Sequence, residues 1–110
     1  MLMPNLKAVD LAGQAGTLWD YRQKSHTVLI HEPSASAETL QSWNETVLKN
    51  KKQWDWLAVK FLRTAEGENS LETGIYIIDR YSHLIRFYPS MKWTFEEIEK
   101  DFIYYESCNC

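Results

Sequence analysis

Cysteine is almost absent from this sequence, which has two among its 110 residues. Both of them, Cys108 and Cys110, lie within the last three positions. A structural disulfide framework distributes cysteines along the chain, so this arrangement excludes one. Glycine and proline are also scarce, at four and three residues, while 45% of the residues are hydrophobic. This composition excludes a disordered or low-complexity chain and is typical of a globular protein.

Long apolar runs and an excess of positive charge are missing as well. No stretch approaches the roughly 18 apolar residues that a membrane-spanning helix needs. Residues 1–7 lack the basic region and long apolar core of a signal peptide. The formal net charge of −3 argues against nucleic acid, which binds to basic surfaces. We therefore expect one cytoplasmic domain over residues 1–110, with no membrane or nucleic-acid partner and no cofactor.

A strand that runs into a helix organises the first half of the sequence. Thr27–Ile30 is a continuous apolar run rich in β-branched residues, which predicts a strand buried on both faces of a parallel or mixed sheet. Pro33 ends this strand, and Ser34 or Ser36 can cap the helix that follows. The apolar positions of this helix form one stripe at Leu40, Trp43, Val47 and Leu48.

The next segment predicts the end of this helix and a second strand. Asn50–Gln53 is polar and carries cations that suit a helix C-terminus. Trp56–Leu62 is mostly apolar and predicts a strand, which completes a right-handed βαβ unit. On this interpretation Trp54 and Trp56 have the same strand parity and face one side of the sheet. If that side is exposed, it is a candidate protein-binding patch, and otherwise the tryptophans belong to the core.

The remaining elements are predicted from shorter patterns. In chain order they are an edge strand at Leu6–Leu11, a short strand or single helical turn at Thr17–Tyr21, a loop at Arg63–Thr73, an antiparallel hairpin of Gly74–Asp79 with Leu84–Tyr88, and a final helix. Thr94, with Glu97 three residues later, forms the capping-box pattern that begins this helix.

Three passages carry a resemblance to a known family. The first passage, Pro4–Gly13 followed by Thr17–Arg22, has the family's spacing of Pro, Asp, Gly and Asp-Tyr-Arg. The second, Val28–Pro33, matches the family's central strand. The third, Gly74–Ile85, matches the family's hairpin with the sequence Ile-Ile-Asp. Taken in this order, the three passages resemble the redoxin branch of the thioredoxin fold. This branch includes the alkyl hydroperoxide reductases and the thiol-specific antioxidant proteins (peroxiredoxins). The resemblance implies an α/β, thioredoxin-like domain. It should have a central mixed sheet of four to five strands, flanked by helices on both faces.

The chain departs from this family where the family keeps its chemistry. In redoxins the redox-active cysteine follows the central strand at the helix start, whereas His31–Ala37 contains serines and no cysteine. A serine hydroxyl does not replace a thiolate, because its pKa is far higher. The family's proline before the hairpin strand is replaced near Thr73–Gly74. The resemblance therefore implies a degenerate active site, whose binding positions would be His31, Ser34, Ser36 and Thr73.

Two further departures concern the second half of the chain. The usual glycine of the hairpin is Ser82. The family's helix between the second and third core strands is reduced to the loop Arg63–Thr73.

Two pairs of residues are candidates for chemistry. Cys108 and Cys110 form a Cys-x-Cys pair, which could be a redox-active dithiol, a source of two soft metal ligands, or two exposed thiols on a frayed tail. A closed zinc site needs about four ligands, so no metal site is predicted. His31 with Glu32 could act as an acid–base pair, although a histidine at a strand end is more often simply hydrogen-bonded.

Two functions follow from these observations. The first is a degenerate redoxin-like protein without a peroxidatic cysteine, which acts as a non-catalytic binding or scaffold module for a protein partner or as a homodimer. The alternative is a thiol–disulfide oxidoreductase or redox sensor that acts through Cys108 and Cys110.

Overall fold

The computed structural model describes residues 1–68 and 70–108, which form a six-stranded mixed sheet and three α-helices. The strands are β1 (Lys7–Asp10), β2 (Ala15–Thr17), β3 (His26–His31), β4 (Val59–Thr64), β5 (Gly74–Ile78) and β6 (Leu84–Pro89). The helices are α1 (Ala37–Lys49), α2 (Lys51–Trp56) and α3 (Phe95–Cys108), and Leu18–Tyr21 forms a 3₁₀ turn. The strand order is β2-β1-β4-β3-β5-β6. The predicted α/β class with a central mixed sheet is confirmed.

Strand β3 is the central strand of this sheet. All six of its residues are buried, as the unbroken apolar run predicts. It pairs in parallel with β4 on one side and antiparallel with β5 on the other. The predicted β3–α1–β4 unit is therefore present, and the carboxyl end of β3 leads directly into the loop before α1.

The segment after α1 differs from the prediction. Asn50 caps α1, but a second short helix, α2, follows it at once, and β4 begins only at Val59. Trp54 and Trp56 consequently lie on a helix, where residues two apart point to nearly opposite sides. Trp54 is 3% exposed and Trp56 is 76% exposed. The prediction that both tryptophans face one side is wrong, because the strand period was applied to helical residues.

The two faces of the sheet are covered in different ways. Trp43 of α1, Trp54 of α2 and Phe102 of α3 belong to one buried cluster, so all three helices lie on the same face. Met3 of the N-terminal segment and Leu18 of the 3₁₀ turn belong to the cluster on the opposite face. The expected helices on both faces are not observed, because the N-terminal segment takes that place.

The connection between β4 and β5 explains why the second face carries no α-helix. The described part of this connection, residues 65–68 and 70–73, contains no helix, in agreement with the predicted loop. Strand β1 was predicted at the edge of the sheet, but it lies between β4 and the three-residue strand β2. These two N-terminal strands raise the strand count from the expected four to five to six.

The hairpin and the last helix form as predicted. Strands β5 and β6 pair antiparallel, and Ser82 adopts a φ of 65° in the turn, where the resemblance leads one to expect glycine. The Asp79 carboxylate accepts the backbone N–H groups of Tyr81 and His83, at 2.8 and 2.9 Å, and so holds this turn. Thr94 caps α3, since its hydroxyl accepts the N–H of Glu97 at 3.2 Å. No helix of the described residues has the length and apolarity to cross a bilayer.

Candidate binding site at the junction of β3 and α1

The loop between β3 and α1 is a tight turn closed by a helix cap. The N–H of Ala35 donates to the carbonyl oxygen of Glu32 at 3.0 Å, which turns the chain. The hydroxyl of Ser36 accepts the N–H of Thr39 at 3.2 Å. Of the two predicted caps, Ser36 is therefore the one used, and Ser34 is exposed on the loop. The capping bond occupies Ser36 in a structural role.

His31 is buried and hydrogen-bonded to a residue that no sequence pattern indicated. Its side chain is 3% exposed, and its Nδ1 lies 2.7 Å from the hydroxyl of Thr64 at the end of β4. Parallel pairing of β3 and β4 brings these two carboxyl-terminal strand ends together. Thr64 lies 33 positions further along the chain, so only the pairing register could have identified it.

Glu32 is a buried carboxylate with three donors. It is 8% exposed and accepts hydrogen bonds from the Ser90 hydroxyl at 2.8 Å, the Met91 N–H at 3.0 Å and the Trp93 indole N–H at 3.5 Å. All three donors lie between β6 and α3. Glu32 therefore fastens the loop that begins α3 to the loop that begins α1.

His31 and Glu32 do not meet as an acid–base pair. Successive residues of an extended chain point to opposite faces of a sheet, and these two follow that rule. His31 bonds to Thr64, while Glu32 bonds to the loop before α3, which packs on the helix-bearing face with Trp93. The proton-sharing geometry that acid–base chemistry requires is absent between these two described side chains.

Strand register brings Thr73 next to this junction. His31 lies opposite Gly74 in the antiparallel β3–β5 pair, so Thr73 lies immediately beyond the paired end of β3. Gly74 has a φ of 153°, and a Cβ there would overlap the carbonyl oxygen of Tyr88 and approach the Phe87 ring to 2.8 Å. Only glycine fits this position, because the neighbouring strand passes too close for any side chain.

A cavity of about 300 Å³ lies beside the junction on the helix-bearing face. It is lined by Ile30, Glu32, Pro33, Ala35, Leu40, Trp43 and residues 63–68. None of the four predicted binding positions is part of this lining, which lacks His31, Ser34, Ser36 and Thr73. These positions are neighbours of lining residues, either along the chain or through the strand register. The lining combines apolar side chains with Arg63 and three glutamates, a mixture typical of binding sites rather than of a packing defect.

The backbone of Cys108 lies away from this junction. Helix α3 begins next to it, since Trp93 bonds to Glu32, and runs towards the other end of β3, where Tyr105 packs on His26 with ring centroids 5.4 Å apart. Cys108 is the last residue of α3, about 21 Å from its start at 1.5 Å per residue. The tail therefore places Cys108 at the opposite end of the sheet. Cys110 lies outside the described residues.

No cluster of three or more His, Cys, Asp or Glu side chains that could hold a metal ion occurs in the described part of the chain. Tyr88 lies near the end of β6, opposite Ile75 of β5. Burial, and then its 2.6 Å hydrogen bond to the Asp101 carboxylate, raises the pKa of Tyr88 to about 12. This bond joins β6 to α3 and helps to hold α3 over the end of the sheet.

Comparison with known proteins gives likeness in fold alone. No protein-family model matches the chain, and no curated protein matches it in sequence. Among solved structures, the reduced 2-Cys peroxiredoxin of Plasmodium vivax superposes with a TM-score of 0.72 at 10% identity, covering 96% of this chain and 80% of that one. The mitochondrial 2-Cys peroxiredoxin of Plasmodium falciparum gives a TM-score of 0.66 at 10% identity, covering 97% and 94%.

A third structure extends the likeness to thioredoxins. The exposed lipoprotein thioredoxin Etrx1 of Streptococcus pneumoniae gives a TM-score of 0.55 at 13% identity, covering 92% of this chain and 99% of that one. The strand order, the helix after the central strand and the terminal hairpin with its helix all agree with this architecture. The chain therefore has a thioredoxin-like fold, of the kind that the peroxiredoxins share.

Proposed function

We propose that this chain is a non-catalytic binding module, whose protein partner contacts the cavity beside the β3–α1 junction. The sequence has no cysteine before Cys108, so none of the residues His31–Ala37 supplies a thiol. Its buried ionisable side chains are already committed to the fold, because His31 bonds to Thr64 and Glu32 accepts three donors. The observation that carries the proposal is this engagement of His31 and Glu32 beside a cavity that stays open.

The chemistry of the cavity supports a protein segment as ligand. Leu40 and Trp43 offer apolar surface, while Arg63 offers a cation and Glu66 an anion at the exposed rim. A protein partner can match such a mixed surface with one apolar side chain and a surrounding set of polar groups.

A peroxide assay tests the non-catalytic part of the proposal. We expect the reduced protein to consume hydrogen peroxide no faster than free cysteine at the same thiol concentration. The matched control is the Cys108→Ser/Cys110→Ser double variant, which removes every thiol while leaving the junction unchanged. Consumption more than about tenfold above free cysteine, lost in the double variant, would show a thiol peroxidase and overturn the proposal.

Site-specific photo-crosslinking tests the binding part. A photoreactive residue at Glu66, on the rim of the cavity, should form one dominant partner adduct in the native host, whereas the same residue at Lys100, exposed on α3, should not. The Arg63→Glu substitution should abolish the adduct, because it reverses the only cation in the described cavity lining. Equal crosslinking from both positions, or an adduct unaffected by the substitution, would contradict the site.

The redox function of Cys108 and Cys110 remains a separate hypothesis. Helix α3 carries the backbone of Cys108 away from the junction, which supports the proposal that Cys108 has no part in the junction site. A redox role would instead require a defined reduction potential at the tail itself. A potential equal to that of an unstructured peptide with the sequence of residues 104–110 would rule that role out.

A further inference from the structure

Arg63 is a cation on a face of β4 that otherwise packs into the core. Side chains alternate between the two faces of a strand, so Arg63 shares the helix-bearing face with Val59 and Phe61. These two residues are 3% and 6% exposed and belong to the buried cluster of that face. Arg63 therefore places a charge at a position where the pattern of the strand calls for an apolar side chain.

Strand register places Arg63 in the cavity of about 300 Å³ beside the β3–α1 junction, called the junction cavity below. Arg63 lies opposite Ile30 in the parallel β3–β4 pair, and both residues line this cavity. Leu40 and Trp43 of α1 add further apolar lining. The guanidinium side chain thus borders the same space as three apolar side chains.

No residue in the described part of the chain neutralises the side chain of Arg63. It takes part in none of the ion pairs or side-chain hydrogen bonds found there. A guanidinium stays protonated in proteins and carries five N–H donors in a planar fork. Arg63 is half-buried, and removing a cation from water costs free energy unless a partner replaces the water. Its donors are therefore available to a ligand in the cavity.

The carboxylates of the lining are engaged elsewhere or lie in solvent. Glu32 accepts three donors from the loop before α3, and Glu68 accepts the N–H of Ser70 at 2.8 Å. None of these four donors belongs to the cavity lining. Glu66 is exposed at the rim, where solvent and salt screen its charge. Arg63 is the charged group of the lining that combines partial burial with unused hydrogen-bonding capacity.

We propose that the junction cavity takes from a protein partner a carboxylate group that lies next to one apolar side chain. This inference rests on the proposed function and names the chemistry of its ligand. The carboxylate accepts two parallel N–H bonds from Arg63, and the apolar side chain packs on Leu40 and Trp43. Paired bonds between a guanidinium and a carboxylate are stronger than neutral hydrogen bonds and fix the orientation of the ligand.

Four small peptides, titrated into the full chain and followed by NMR, test the proposal. N-acetyl-leucine carries the carboxylate of a chain terminus, and N-acetyl-glutamyl-leucinamide carries that of a side chain. Their neutral matches are N-acetyl-leucinamide and N-acetyl-glutaminyl-leucinamide. We expect at least one carboxylate to bind about tenfold or more tightly than its neutral match. The pair with the larger ratio identifies the source as a C-terminus or an acidic side chain.

Two substitutions of Arg63 and one control locate the effect. Arg63→Gln removes the charge and the fork, so each carboxylate should bind within about twofold of its neutral match. Arg63→Lys keeps the charge without the fork and should retain only part of the preference. The matched control is Lys60→Gln, which removes the same charge from an exposed position of the same strand outside the lining. It should leave the preference unchanged.

The inference and the proposed function can fail separately. A dominant adduct from Glu66 that Arg63→Glu abolishes would uphold the binding site in the proposed function. Neutral peptides that bind as tightly as the carboxylates would then overturn this inference alone. Equal effects of Arg63→Gln and Lys60→Gln would also overturn it, because long-range charge would explain the preference. Binding by none of the four peptides at about 10 mM would overturn it as well.

Discussion

The carboxyl end of β3 and the cavity beside Leu48 differ in what their walls offer. At the end of β3, the buried side chains of His31 and Glu32 have hydrogen-bond partners from distant parts of the chain. The cavity beside Leu48, of about 350 Å³, has mainly apolar walls, and Leu48 itself is 59% exposed. The first region is closed around these two polar groups, whereas the second leaves an apolar surface open.

The carboxyl end of a central strand is the usual place for a ligand in α/β proteins. Here that place has become a structural joint between β3, β4 and the loop before α3, beside a small cavity. We therefore expect substitutions of the buried groups in this joint to change stability more than substitutions of exposed residues such as Leu48.

Gly74→Ala should give the largest loss of stability in the joint. The new Cβ would overlap the carbonyl oxygen of Tyr88, and the φ of 153° is strained for alanine. We expect the free energy of unfolding to fall by about 3–5 kcal/mol, or folding to fail. Urea denaturation measures this loss.

The matched control is Gly13→Ala, which also has a positive φ, of 90°, but has nothing within 4 Å of the new Cβ. Its cost should be about 1 kcal/mol. Equal losses for the two alanine variants would show that backbone conformation alone matters at Gly74, and the close approach to β6 does not.

Glu32→Ala should give the next largest effect. It leaves the Ser90 hydroxyl, the Met91 N–H and the Trp93 indole without their acceptor. We expect a loss of about 3 kcal/mol, with Glu32→Gln losing roughly half as much because the amide oxygen still accepts. Chemical denaturation gives the stability, and Trp93 fluorescence reports release of the loop.

The exposed residue Leu48 supplies the control for this prediction. Leu48→Glu changes an exposed residue, so its effect on unfolding should stay within about 0.5 kcal/mol. If Leu48→Glu destabilised the protein as much as Glu32→Ala, the distinction between a joint and an open surface would fail.

Alkaline pH should weaken the contact between β6 and α3 more gradually. Burial and the Asp101 carboxylate raise the pKa of Tyr88 to about 12, from the usual 10.0 of a tyrosine. A folded-state pKa above the unfolded one means that the stabilisation is complete below pH 10.0 and is lost as the pH rises towards about 12. Stability should therefore fall across this interval, while Tyr88→Phe should show a shallower fall over the same range.

Absorbance at the phenolate band measures the titration directly. One tyrosine should ionise near pH 12 in the native protein and shift back towards 10.0 in denaturant. A native titration curve that Tyr88→Phe leaves unchanged would contradict the assignment.

Much of the fold could be predicted because its signals are local. The unbroken apolar run of β3, the cap pattern at Thr94 and the short spacing of the β5–β6 hairpin each lie within a few residues. The assignment failed at Trp54 and Trp56, where a six-residue helix resembles the start of a strand. Helix placement also failed, because periodicity gives the apolar side of an element and not the face of the sheet that it covers.

The position of the candidate site stays a prediction, and its contacts could not be predicted. The resemblance placed it at His31–Ala37 and Thr73, and strand register does bring these segments together. The partners of Glu32 lie 58 to 61 residues further along the chain, so no local pattern points to them.

Residue identity and spacings of a few residues were enough to predict the α/β class, the central strand, the cap of α3 at Thr94 and the lack of cysteine in His31–Ala37. The separate contacts of His31 and Glu32, and the position of Cys108 at the opposite end of the sheet, follow from the tertiary structure. Those features depend on strand order and register, which arise from packing between residues distant along the chain.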